Sequence, residues 1–99
     1  MNFDLFLEMI MLEYKNACEK HPHFVYDFVD KTLDELEVHE TILKKYNDTH
    51  KNTSLSVIKE ELCEAFVQYL KGNKQNCLVE LAQCAAVIFR MADYVEETL

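Results

Sequence analysis

The chain has 99 residues, 49% of them hydrophobic, with one glycine, one proline and a formal net charge of −8. That length fits a single domain, residues 1–99, with a small core, and the scarcity of turn formers among many Leu, Glu, Lys and Ala points to an all-α chain. The acidic balance excludes a duplex nucleic-acid binder, which needs a basic face for phosphates; a small polyphosphate escorted by Mg²⁺ is compatible with it.

Residues 2–20 read as a first helix. Phe3, Phe6, Leu7, Ile10, Met11, Tyr14 and Cys18 recur at helical spacing. Asn2 or Asp4 suits its N-terminal end, and Lys15 and Lys20 its C-terminal end. Such a stripe serves packing, and in so short a chain it offers itself to a second subunit. The N-terminal stretch is acidic and lacks a basic n-region, so no signal peptide is expected. No apolar run reaches the length of a membrane span. A cytoplasmic protein is the expectation.

His21-Pro22-His23 breaks the helix, because proline disfavours helical backbone at the residue before it. Residues 23–47 read as a second helix. Its stripe is Phe24, Phe28, Leu33, Leu36, Ile42, Leu43 and Tyr46, with a wobble near Thr32. Acidic residues dominate its first part and Lys44 and Lys45 close it, an order that complements the helix dipole. Residues 47–54, NDTHKNTS, are the most polar stretch and read as a loop. Thr53 or Ser54 caps a third helix that runs to about Leu70, with Leu55, Ile58, Leu62, Ala65, Phe66 and Tyr69 toward the core. A fourth runs from Lys74 to about Thr98. The four cysteines, at 18, 63, 77 and 84, form no C-x-x-C pair and no zinc-finger spacing with histidine. Buried reduced thiols are the expected state of those on the third and fourth helices; a disulfide between Cys63 and Cys77 or Cys84 is the alternative, which nothing in the sequence requires.

The last two helices form the informative stretch. Gly72, the only glycine, suits the left-handed residue that closes a helix, and Asn73 suits the N-cap of the next. Glu64 lies eight residues before Gly72 and Glu80 eight after; Glu61 and Gln83 each lie eleven away. In an antiparallel hairpin, residues equidistant from the turn lie at similar height. The i, i+3 spacing keeps each pair on one face of its helix. Residues 77–92 are apolar nearly all round apart from Glu80, Gln83 and Arg90, the pattern of a buried helix. A buried carboxylate protonates, pairs with a cation or binds a metal. A divalent ion with a preference for oxygen ligands answers that need, and a pairing with Arg90 or a lysine is the alternative.

These residues resemble the MazG-like, all-α nucleoside triphosphate pyrophosphohydrolases, whose motif is EExxE followed by ExxD. Here it stands as Glu60-Glu61-Leu62-Cys63-Glu64 and Glu80-Leu81-Ala82-Gln83, with Gln83 in place of Asp. The likeness covers about residues 37–98, most securely 57–92, and is to small members found in phages and mobile elements. It implies one MazG-like helical domain of four helices, its bundle completed in a homodimer or homotetramer. It implies Mg²⁺, or Mn²⁺, held by Glu61, Glu64 and Glu80 with Gln83 assisting. Glu60 and Glu61 become the catalytic candidates, orienting water toward the α-phosphate. Lys45, Asn47, Lys74 and Arg90 become candidate substrate contacts. The implied reaction releases a nucleoside monophosphate and pyrophosphate. Because Gln83 offers an oxygen without charge, the alternative is a catalytically degenerate relative that binds a nucleotide or a protein partner.

Overall fold

The computed structural model describes residues 2–99. They form four α-helices: α1 (Phe3–Lys20), α2 (Leu33–Thr49), α3 (Ser54–Leu70) and α4 (Lys74–Glu97), with no strand among the described residues. The chain is thus all-α, as its composition implies. No helix among the described residues is long and apolar enough to cross a membrane. Packing separates two compact units, one containing the chain up to Asp30 and one spanning Lys31–Thr98.

In the first unit, α1 opens on Asn2, whose Oδ1 accepts the Leu5 N–H at 3.1 Å. Asp4 in its first turn and Lys20 in its last complement the dipole, and none of its residues is buried. The segment after Lys20 is not helical. This corrects the expected second helix, which begins at Leu33 and not at residue 23. The reason is local. Val25, Tyr26, Phe28 and Val29 are β-branched or aromatic and weak helix formers. Thr32 then supplies a cap, its Oγ1 accepting the Glu35 N–H at 3.2 Å, with Asp34 and Glu35 in the first turn. The wobble near Thr32 was the helix boundary.

In the second unit, α3 packs against both α2 and α4. α2 continues to Thr49, so Asn47, Asp48 and Thr49 are helical and the expected 47–54 loop shrinks to His50–Thr53. Thr53 and Ser56 form a reciprocal capping box, with N–H to hydroxyl bonds of 3.1 and 2.9 Å. The core is built of small side chains: Cys63, Ala65 and Val67 on α3, Cys77 and Cys84 on α4, with Leu36 from α2. Cys63 Sγ donates to the Leu36 carbonyl at 3.2 Å, joining α3 to α2. All four cysteines are free thiols; Cys18 is exposed and the other three are buried.

α4 departs from the buried helix its apolar sequence suggests. Only Cys77 and Cys84 are buried, while Leu78 is 61%, Val79 48% and Ile88 45% exposed. Within the second unit α4 packs against α3, which covers one of its faces.

The α3–α4 turn follows its sequence closely. Gly72 has φ +80°. Its N–H bonds to the Tyr69 carbonyl at 3.0 Å and the Asn73 N–H to the Gln68 carbonyl at 2.9 Å. That pairing satisfies two helix-end carbonyls and ends α3 cleanly. Asn73 occupies the N-cap position but does not cap α4 with its side chain; its amide nitrogen donates instead to Gln68 Oε1 at 3.2 Å. A Cβ at Gly72 would meet nothing within 4 Å, so substitution there costs backbone strain alone. Gly72→Ala is expected to lower stability by about 1 kcal/mol in urea unfolding, and Gly72→Asn, which tolerates the left-handed region, by less.

Candidate metal centre

The turn at Gly72 fixes the height at which α3 and α4 meet, and the glutamates follow from it. Glu61 and Glu64 lie one turn apart on α3, and Glu80 faces them from α4. Each offers a carboxylate oxygen, and the three oxygens all lie within 4.8 Å of one another. All three residues are half-buried. The expected pairing across the hairpin is therefore present.

This proximity has an electrostatic signature. Burial, a hydrogen bond to Glu80 that needs the proton, and the charges of Glu61 and Glu80 push Glu64 up to about 7, against the opposing pull of Lys44. Burial likewise raises Glu61, helped by Glu80 and Glu60. Burial and the charges of Glu61 and Glu80 push the neighbouring Cys84 thiol up as well. Carboxylates crowded together hold protons they would otherwise release.

Gln83 joins the cluster from α4. Its amide, turned so that the nitrogen faces the carboxylates as the hydrogen bonding requires, donates to Glu80 Oε2 at 2.8 Å and Glu61 Oε2 at 3.2 Å. Glu60 lies outside the triad of oxygens and is held by Asn47, whose Nδ2 donates to Glu60 Oε1 at 2.9 Å and to the Ser56 carbonyl at 3.2 Å. Asn47 Oδ1 is buried with no hydrogen-bond partner.

The cation at the cluster is Lys44, which the sequence did not single out. Its Nζ lies 2.9 Å from Glu40 and 3.9 Å from Glu64. The Glu40 hydrogen bond raises the Lys44 ammonium above its ordinary range despite opposing burial. The i, i+4 spacing of Glu40 and Lys44 was visible as a helix pair, but their approach to Glu64 depends on how α2 packs on α3. Among the described residues, none of Lys45, Lys74 or Arg90 pairs with a carboxylate of the cluster. Lys45 and Lys74 are exposed on the surface. Arg90 lines a separate cavity of about 440 Å³ with Asn52, Val57 and Tyr94.

The donor set suits a hard divalent cation: three carboxylates and an amide that can turn its oxygen inward, with no sulfur or imidazole ligand among them. A cation there would also offset the burial and the repulsion that together raise Glu64. Comparison of the chain with protein-family models, with curated proteins and with solved structures finds no match.

Glu64 yields a pH prediction for the metal-free chain. Below its ordinary value of 4.5 both folded and unfolded states hold the proton; between 4.5 and about 7 the folded state alone holds it, so stability falls as pH rises; above that the full cost is present. Glu64→Gln removes the charge. With discount for solvent screening, the variant is expected to exceed wild type in stability by about 1–2 kcal/mol at pH 8. Urea unfolding should show the two converging by pH 4.5.

Proposed function

We propose that this chain is a Mg²⁺-dependent nucleoside triphosphate pyrophosphohydrolase that releases a nucleoside monophosphate and pyrophosphate. The observation that carries the reading is the convergence of Glu61, Glu64 and Glu80 on one point between α3 and α4. The resemblance of Glu60–Glu64 and Glu80–Gln83 to the EExxE and ExxD motifs supports the same assignment.

Glu61, Glu64 and Glu80 would hold the ion, and Gln83 would contribute Oε1 after turning its amide. Bound Mg²⁺ supplies neutralisation of phosphate charge and polarisation of the phosphoryl centre. Glu60 stands beside the triad with Asn47 fixing one of its oxygens. In this reading Glu60 would orient a water and accept its proton. Homodimeric or homotetrameric assembly is part of the proposal. The exposed Leu78, Val79 and Ile88 on α4 support it, because a second copy would bury apolar surface that one chain leaves in water.

One observation favours a second reading, a degenerate nucleotide-binding or protein-interaction module. The Gln83 amide satisfies Glu61 and Glu80 without any cation, so the hairpin holds together as a purely structural element.

The two readings separate in a panel of canonical and modified (d)NTPs, assayed with and without Mg²⁺ or Mn²⁺ for monophosphate and pyrophosphate. Metal-dependent pyrophosphate release is expected, falling by at least about 100-fold in Glu64→Gln. No turnover with either metal at high protein concentration would favour the module. Gln83→Asp would then be expected to restore turnover if the missing charge alone silences the site. Sedimentation velocity tests the assembly: a dimer or tetramer is expected, shifting toward monomer in Leu78→Asp/Ile88→Asp.

A further inference from the structure

We propose that Lys44 is the resident cation of the carboxylate cluster and competes with a divalent metal ion for Glu64. The chain itself then sets how weakly that ion is held. The inference rests on the metal reading above.

Lys44 reaches the cluster from α2, a helix that supplies none of the three converging carboxylates. Its two contacts differ in kind. The 2.9 Å contact to Glu40 is a hydrogen-bonded i, i+4 pair within α2. The 3.9 Å contact to Glu64 crosses from one helix to another. A divalent ion on Glu61, Glu64 and Glu80 would place a second positive centre close to the ammonium. Like charges at that range repel, so ion and ammonium cannot both draw fully on Glu64. The Lys44 side chain is 50% exposed. It can withdraw toward solvent and keep Glu40, losing only the longer contact.

Gln83 offers a useful contrast. It too satisfies carboxylates in the metal-free chain, donating to Glu61 and Glu80. An amide can turn and present its oxygen to an incoming ion, becoming a ligand. An ammonium has three donors and no acceptor, so it can only compete or leave. Of the two, only Lys44 has no way to become a ligand.

The test is Mn²⁺ binding by isothermal titration at pH 8 and fixed ionic strength, on wild type, Lys44→Met, Lys44→Arg and Lys45→Met. Lys45→Met changes the net charge as Lys44→Met does, but removes a side chain outside the cluster. Lys44→Met is expected to bind Mn²⁺ about 3- to 10-fold more tightly, with Lys44→Arg and Lys45→Met within about twofold of wild type. Unchanged or weaker binding in Lys44→Met, or an equal gain in Lys45→Met, overturns the competition. Absence of Mn²⁺ binding in every variant, wild type included, overturns the metal reading beneath it.

Discussion

Three carboxylates meet across the α3–α4 hairpin because the turn at Gly72 leaves the two helices one register. Gly72 takes φ +80°, and the Gly72 and Asn73 N–H groups close back onto the last turn of α3. Reversal within so few residues places Glu64 level with Glu80. The buried side chains of the hairpin then set how near the helices come. They are small: Ala65, Val67, Cys77 and Cys84. Small residues at a contact shorten the distance between helix axes, and that draws the carboxylate heads together. Repulsion at the cluster is thus a consequence of the packing that stabilises the hairpin.

The rest of the second unit offsets that repulsion. Glu64 gains from Lys44 on α2, while Glu61 and Glu80 gain from the Gln83 amide. Asn47, near the end of α2, spends its nitrogen on Glu60 and the Ser56 carbonyl. Its oxygen is buried without a protein partner. α2 therefore does two jobs with different residues. Leu36 closes the small core, and Lys44 and Asn47 reach the carboxylates of α3.

What the sequence revealed follows from the range of the interactions involved. The hairpin was legible because a lone glycine and symmetric counting define it locally. Thr53 was legible as a cap for the same reason. The start of α2 was not: Phe24 and Phe28 extend the apolar stripe in phase, and only the low helix propensity of the intervening residues and the cap at Thr32 oppose it. Apolar periodicity marks α4 as buried because it reports what a helix can bury, not what its neighbours provide to bury it. Lys44 has no local signal for a third reason. Its neighbour Lys45 is identical in type and adjacent in sequence, and one residue is about 100° around a helix. Which of the two meets Glu64 is decided by the rotation of α2 on α3, a tertiary quantity with no local signature.

Gln83 shifts the same balance of charge. An aspartate there would bring a fourth anion to a site where Glu64 already holds its proton to about pH 7. The glutamine removes that anion and adds two N–H donors, so the metal-free hairpin gains. The same change lowers the charge available to a hard cation, which prefers anionic oxygen. Under the proposed competition Lys44 would act in the same direction, steadying the carboxylates at the expense of an ion. Both residues make the metal-free chain a comfortable state. Under the proposed reaction this has a consequence for order of binding. An ion held weakly by the protein alone is held firmly once a polyphosphate adds its own oxygens to the coordination shell. Metal and nucleotide would then arrive together, each supplying what the other's site lacks, and an acidic chain would accept an anionic substrate only in that company.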